Sequence, residues 1–365
     1  MNDRMTDSIT DPDILPTEDT PFTEADDCYH PPVSDDRYLV ETTWWSFNVP
    51  ELRLGAWLHS QYHVNLGTCT WRVFAWDPSA SDPDELAYYR VVEQAPMPAE
   101  PDLRNITFPG GGFSVTMLDP LTNYRIAYAD AERDFAIEIE HRSVHPPHRF
   151  TPGQPPMMSS PHLDQLGHVT GTLTLRGERI PVDCFSIRDR TWGPRGGSHD
   201  TSRKPEYQRG EYRVLHPGGP RWREVERQRG RGRIQYMFGH ADETTGFLGF
   251  LRPQDGDAAG WSPVHVGWLL QDGTFGHLDA DRSRMRVYRD VDTGLTAQIE
   301  AELVDRDGRS MRAEGTAVSR IAERTAGGHS LMRWDLGDRI GWGEDQDVWR
   351  GDHFADLRAA LHAVR

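Results

Sequence analysis

The sequence predicts an all-β protein of two packed antiparallel barrels or sandwiches, followed by a short C-terminal helix. Apolar and polar residues alternate with a period of two in many short segments, as they do in half-buried strands. The chain has 365 residues, more than one ordinary core requires, which favours two domains. No period of about 20 to 50 residues repeats clearly, which argues against solenoids and propellers.

The predicted strands of the first half form a meander. Aromatic and β-branched residues such as Trp44 and Trp45 are enriched in them, and turn clusters such as Pro109-Gly110-Gly111-Gly112 separate them. We predict strands at residues 38–49, 52–59, 69–76, 87–92, 113–118, 124–129 and 135–141.

A proline-rich connector between Pro146 and Pro161 divides the chain, so we expect one β-domain at residues 29–160 and a second at 161–365. The second begins with a hairpin whose turn is Arg176-Gly177-Glu178. Further strands are predicted at residues 233–238, 247–251, 264–270, 275–278, 295–303 and 311–321, and an apolar stripe predicts a helix over 352–364. Residues 1–28, acidic and proline-punctuated, are expected to be a disordered tail.

The composition excludes several classes of protein. A net charge of -17 argues against binding to nucleic acid or to an anionic membrane surface. Three cysteines without a C-x-x-C pair fit a reducing compartment. No segment has the apolar length of a membrane span or a secretory signal. We therefore expect a cytoplasmic protein without integral membrane association; its oligomeric state is left open.

Asp189 is the most unusual candidate for a functional residue. It lies between Arg188 and Arg190, directly after a predicted strand at 180–187, and Trp192 follows it. Strand ends are places where a scaffold presents reactive groups. The arginines favour an ionised Asp189, whereas burial against Trp192 favours the neutral acid. Two interpretations stay open, an acid catalyst and a structural ion pair at a domain junction.

Histidine clusters do not predict a metal site. His59 and His63 on one strand would be about 13 Å apart, too far to bind one ion. His141, His145 and His148 are interrupted by a Pro-Pro pair, and no helix brings them onto one face. We expect no metal ligand among them.

Aromatic side chains within the strands form a second set of candidates. Trp44, Tyr236 and Trp268 belong to this set. Such residues mostly form the core of a β-protein. Where they line a cavity, they suit a large apolar ligand, and their π faces stabilise a carbocation.

Asp189-Arg190-Thr191-Trp192-Gly193 resembles the Asp-His/Arg-x-Trp-Gly signature of the hydroxyneurosporene synthase (carotenoid 1,2-hydratase) superfamily. Supporting similarity lies in residues 41–47 and 171–177. The stretch is most similar to the signature of an uncharacterised bacterial branch of the family. In that branch, His-Ser usually stands where this chain has Arg190 and Thr191. The resemblance implies two lipocalin-like β-domains.

The same resemblance implies cofactor-free proton chemistry on isoprenoid-type substrates, either hydration of an alkene or a cyclisation begun by protonating one. Carried over by position, Asp189 would donate the proton or orient its donor. Trp192 would form a wall of the pocket, and Arg188 and Arg190 would be its electrostatic neighbours.

The preferred hypothesis is a cofactor-independent lyase or cyclase that protonates an alkene of a hydrophobic small molecule. Asp189 is its acid; Arg188, Arg190, Trp192, Trp44, Tyr236 and Trp268 are its expected substrate-binding residues. The alternatives are a lipocalin-like carrier of a lipid, sterol or polyketide, and a pericyclase that only folds its substrate. A carrier or a pericyclase would tolerate the loss of the Asp189 carboxylic acid.

Overall fold

The computed structural model describes residues 21–32, 35, 39–150, 161–194, 233–251, 260–323, 327–349 and 351–363. These residues form two curled antiparallel sheets, a short N-terminal helix α1 (Glu24–Asp27) and a C-terminal helix α2 (Gly351–Ala363). The all-β prediction is confirmed. No described helix is long and apolar enough to span a membrane.

The first sheet has eleven strands: β1 (Leu39–Val49), β2 (Leu54–His63), β3 (Thr68–Trp76), β4 (Tyr88–Pro96), β5 (Asn105–Thr107), β6 (Ser114–Asp119), β7 (Asn123–Asp130), β8 (Phe135–Ser143), β9 (His148–Phe150), β10 (His162–Leu175) and β11 (Glu178–Pro194). Their order is β4-β3-β2-β1-β11-β10-β8-β7-β6-β5, with β9 paired to β10. Short 3-10 turns lie at Pro50–Leu52, Val64–Leu66, Pro83–Glu85 and Ala131–Arg133.

The second sheet has ten strands: β12 (Arg233–His240), β13 (Gly246–Leu251), β14 (Ser262–Pro263), β15 (Val266–Gln271), β16 (Thr274–His277), β17 (Arg284–Arg289), β18 (Thr296–Val304), β19 (Ser310–Glu323), β20 (Gly327–Asp335) and β21 (Ile340–Trp349). Their order is β14-β17-β18-β19-β20-β21-β12-β13-β15-β16. Asp272 and Gly273 form the β15–β16 turn with φ values of 50° and 74°, which suits an Asp-Gly hairpin.

The boundary expected at residue 160 does not separate the two sheets. β10 and β11 pair with each other, and β10 also pairs with β8 while β11 pairs with β1, so both complete the first sheet. The proline-rich connector therefore joins strands of the same sheet. The chain passes to the second sheet between Pro194 and Arg233.

The end of the expected disordered tail is also different. Residues 1–20 lie outside the described part of the chain, but residues 24–27 form α1 and Asp27 is only 1% exposed. The prediction of disorder is wrong for this end, because Asp27 forms an ion pair with Arg188 inside the first sheet.

The apolar side chains form three large clusters. One packs within the first sheet, and another packs within the second sheet. The third joins residues of both sheets, including Trp44, Trp57, Tyr236, Phe238 and Trp268. This third cluster, the interface cluster below, brings three of the predicted aromatic candidates between the two sheets.

Candidate active site

The two faces of β11 separate the predicted site residues. Successive side chains of a strand point to opposite sides of the sheet. Arg188 and Arg190 line a small cavity together with Trp45 and Tyr62 of the apolar cluster of the first sheet. Asp189 lies opposite Trp44 of β1 and Asp164 of β10, on the side that faces the second sheet.

The two arginines pair with acidic groups other than Asp189. Arg188 donates to both oxygens of Asp27, at 2.9 and 3.2 Å, and Arg190 donates to Glu41 Oε2 at 2.7 Å. Burial by itself would raise the pKa of Asp27, but the charges of Arg188 and Arg190 outweigh burial and lower that pKa. The arginines therefore hold the N-terminal segment against the first sheet.

Trp192 lies with the arginines and not beside Asp189. Its ring stacks on His30 with centroids 4.5 Å apart and meets the edge of Phe22 at 6.2 Å. Arg190 lies over the same indole at 5.8 Å. The expected packing of Asp189 against Trp192 is therefore not found, because the strand alternation sends the two side chains to opposite faces.

Asp189 belongs instead to a cluster with His162 and Asp164. One nitrogen or oxygen of each of these side chains lies within 4.8 Å of the others. His162 and Asp164 are buried, and Asp189 is partly buried. We call these three residues the His-Asp-Asp cluster.

Hydrogen bonds fix the orientation of this cluster. His162 Nε2 lies 2.8 Å from Asp164 Oδ2, and its Nδ1 lies 2.6 Å from Thr191 Oγ1. A carboxylate only accepts, so Nε2–H donates to Asp164 and the Thr191 hydroxyl donates to Nδ1. Tyr236 of the second sheet donates its hydroxyl to Asp164 Oδ1 at 2.6 Å.

Tyr236 remains a neutral hydroxyl donor in this arrangement. Burial raises its pKa well above the usual value, and the nearby Asp164 carboxylate raises it further. A neutral Tyr236 keeps its proton on the bond to Asp164. This bond connects the two sheets directly at the His-Asp-Asp cluster.

Aromatic rings cover the cluster on the interface side. Trp44 contacts Tyr236 and Phe238 edge to face, with centroids 6.1 and 6.2 Å apart, and Trp57 at 5.6 Å. Edge-to-face contact is a preferred geometry for aromatic pairs. The acidic groups thus lie next to a largely apolar wall.

Trp268 lies in a neighbouring part of the interface, among histidines. Its ring centroid is 5.2 Å from those of both His145 and His148. Burial lowers the pKa of His148 well below its usual value, and the nearby His277 lowers it further, so His148 is neutral near pH 7. His162 is near enough to His148 to act on its pKa, so these histidines are neighbours of the His-Asp-Asp cluster.

A second buried acid, Glu344, belongs to the second sheet. Its side chain is 2% exposed, and Trp57 of the first sheet donates its indole N–H to Oε2 at 2.8 Å. Burial raises the pKa of Glu344 to about 7, although the Trp57 hydrogen bond opposes that rise. The charge of Glu344 reaches Tyr236, so both sheets present a carboxyl group to the same interface.

The histidine pairs considered from the sequence do not form a ligand set. Among the described residues, the group of three whose ligand atoms lie close to one another is the His-Asp-Asp cluster. It contains none of the five histidines considered in the sequence analysis. His63 and His141 are buried, and burial lowers the pKa of His63 to about 4 and of His141 to about 3. Both are neutral core histidines.

The family model described as a domain of unknown function (DUF7064) matches residues 23–203. This range contains α1, the first sheet and the whole His-Asp-Asp cluster, but not Tyr236 or Glu344. No curated protein matches the chain in sequence.

Solved structures that are similar to this chain include the following three. An AttH-like protein from Nitrosomonas europaea aligns with a TM-score of 0.52 at 12% identity, covering 86% of this chain and 93% of that one. Kievitone hydratase from Nectria haematococca has a TM-score of 0.48 at 10% identity over 92% and 98%. CghA has a TM-score of 0.48 at 12% identity over 87% and 89%. At 12% identity the first similarity shows the fold alone.

Proposed function

We propose that the protein is a cofactor-independent lyase or cyclase that protonates an alkene of a hydrophobic, isoprenoid-like substrate held between its two sheets. The observation that carries this proposal is the His-Asp-Asp cluster beside the aromatic wall of Trp44 and Tyr236. In this proposal, Asp189 is the proton donor.

The hydrogen bonds of Asp164 support that role for Asp189. Asp164 accepts from Tyr236 and from His162, so it acts as the carboxylate of the cluster. In this proposal Asp189, the other carboxyl group of the cluster, carries the proton that is transferred. The neutral acid is the form that a proton donor requires.

Arg188 is next to Asp189 in the chain but makes its hydrogen bonds on the opposite face of the sheet. Arg188 donates its Nε–H to Gln165 at 2.7 Å and its two terminal nitrogens to Asp27. Asp27 is therefore the main partner of its charge, and Asp189 is a weaker electrostatic neighbour.

Proton transfer from Asp189 uses the alkene π pair to form a new C–H bond and leaves a cation on the other carbon. The π faces of Trp44 and Tyr236 would stabilise that cation. A base must then take a proton, either from an adding water or from a carbon of the cyclised product. Glu344, with a pKa of about 7, suits this second step near neutral pH.

The test is turnover of candidate isoprenoids in deuterated water. The wild-type protein should incorporate one deuterium into the product, and Asp189→Asn should lose the activity by about 100-fold or more. Asp183→Asn is the matched control, because Asp183 is an exposed aspartate on the same strand.

Product without deuterium, or full activity in Asp189→Asn, would rule out the proposed acid. Recovery of unchanged ligand, bound equally by wild type and Asp189→Asn, would instead identify a carrier.

A further inference from the structure

We infer that His162, Asp164 and Asp189 also bind one divalent transition-metal ion such as Zn²⁺. The three side chains offer one imidazole nitrogen and two carboxylate oxygens within 4.8 Å of one another. A mixed nitrogen and oxygen set of three protein ligands with a fourth position for water is a common arrangement for zinc. Metal binding at this cluster does not depend on the proposed reaction.

The remaining atoms of His162 are arranged as in a metal ligand. A ligand histidine usually hydrogen-bonds through its second ring nitrogen, which fixes the orientation of the ring. Thr191 Oγ1 lies 2.6 Å from His162 Nδ1 and fulfils this function. When Nε2 binds the metal, its proton moves to Nδ1, and Nδ1–H then donates to the Thr191 oxygen.

Asp164 is oriented in the same way. Tyr236 donates to its Oδ1, which leaves Oδ2, the oxygen nearest to His162 Nε2, for the ion. Asp189 completes the set from the adjacent strand and is partly exposed, so the ion can enter from its side. The set thus has its ligands, hydrogen-bonding partners for two of them, and an entry path.

The donor types select the class of metal. Calcium and magnesium prefer sets made only of oxygen, whereas an imidazole favours zinc, cobalt, nickel or copper. Binding to Asp189 releases any proton that this side chain carries. On the proposed function, Zn²⁺ and the catalytic proton therefore exclude each other, and Zn²⁺ is an inhibitor.

The experiment titrates metal-free, full-length protein with Zn²⁺ by calorimetry and with Co²⁺ by visible absorption. We expect one site whose Co²⁺ spectrum indicates four-coordinate geometry. Asp189→Asn and His162→Gln should each weaken binding at this site by about tenfold or more, and so should Tyr236→Phe, which removes the donor to Asp164. Circular dichroism and urea unfolding verify that each variant is folded.

The matched control is the exposed pair His168 and Asp183, 2.6 Å apart on the same two strands. His168→Gln should bind the metal as tightly as the wild type. The inference is overturned if the wild type has no such site, if Asp189→Asn and His162→Gln bind unchanged, or if His168→Gln removes the binding.

The proposed function and the proposed metal site are tested by different measurements. Absence of turnover in metal-free protein defeats the proposed function alone, since the Co²⁺ spectrum needs no substrate. Where turnover is found, Zn²⁺ should inhibit it, and EDTA should restore it.

Discussion

Arg188 and Asp189 are adjacent in the chain, but their side chains lie on opposite faces of the first sheet. Arg188 forms a buried ion pair with Asp27, while Asp189 joins His162 and Asp164 at the interface between the sheets. Residues 188–192 therefore contribute to two different sites. The arginines hold the N-terminal segment, and the aspartate faces the candidate active site.

The Asp27–Arg188 pair should contribute strongly to stability. Removing one partner of a buried ion pair leaves the other charge unmatched and costs about 3–5 kcal/mol. Asp27→Asn and Arg188→Gln should each lower the free energy of unfolding in urea by about this amount, and the double variant by less than their sum.

The control for this cycle is the exposed pair Arg125–Glu140, with side chains 58% and 44% exposed. Its cycle should give a coupling of about 0–1 kcal/mol. An equal coupling at both pairs would show that burial is not what makes the Asp27–Arg188 pair strong.

Part of the candidate site can be predicted from the sequence. The sequence predicts the β10–β11 hairpin with a three-residue turn, Arg176-Gly177-Glu178, whereas the structure has a two-residue turn, Arg176-Gly177, that pairs Leu175 with Glu178 and fixes every pair across β10 and β11. Counting back from this turn places Asp164 opposite Asp189, and strand alternation adds His162 on the same face. The predicted hairpin therefore brings β10 beside β11, but its turn is one residue too long to place Asp164 opposite Asp189.

Other parts depend on contacts between distant segments. Asp27 lies in an acidic, proline-rich segment whose composition predicts disorder. Its burial is made favourable by three residues that all lie far along the chain, Arg188, Arg190 and Tyr124. Glu344 meets Trp57 across the two sheets, 287 residues apart in sequence. No local pattern encodes how one sheet docks on another, so neither residue could be assigned from periodicity.

The Tyr236 hydroxyl should matter for both stability and the proposed activity. Tyr236→Phe leaves the buried Asp164 Oδ1 without its 2.6 Å donor. A lost buried hydrogen bond costs about 1–3 kcal/mol, so we expect a loss of that size in urea unfolding. Substrate turnover should fall because Asp164 is no longer held in place.

Tyr288→Phe is the matched control, because the Tyr288 side chain is exposed. This variant should change neither the free energy of unfolding nor the substrate turnover. Wild-type stability and turnover in Tyr236→Phe would contradict a positioning role for the hydroxyl.

Gly167 and His141 should be coupled by packing. A Cβ on Gly167 would lie 2.2 Å from Cε1 and 2.3 Å from Nε2 of the buried His141 ring. Gly167→Ala should therefore destabilise the protein by about 1–3 kcal/mol in urea unfolding. In a His141→Ala background the same change should cost much less, and Gly260→Ala, with no atom within 4 Å of its Cβ, should be neutral.

Glu344 should make the protein less stable as the pH rises through neutrality. Its pKa is raised from 4.5 to about 7 in the folded state, so the folded state holds this proton more tightly than the unfolded state. Its contribution to stability is complete below about pH 4.5, decreases as the pH rises to about 7, and is then constant. The total loss is roughly 3 kcal/mol, at about 1.4 kcal/mol per unit of pKa.

The buried histidines act in the opposite direction, because they destabilise the folded state as the pH falls below about 6.5. The prediction is therefore tested on the difference between the wild type and Glu344→Gln, measured by urea unfolding from pH 4.5 to 8. That difference should have the slope of a single proton between about pH 4.5 and 7. Glu314→Gln, whose side chain is 56% exposed, should give no such slope. A difference that does not change with pH would show that Glu344 is not protonated in the folded protein near neutrality.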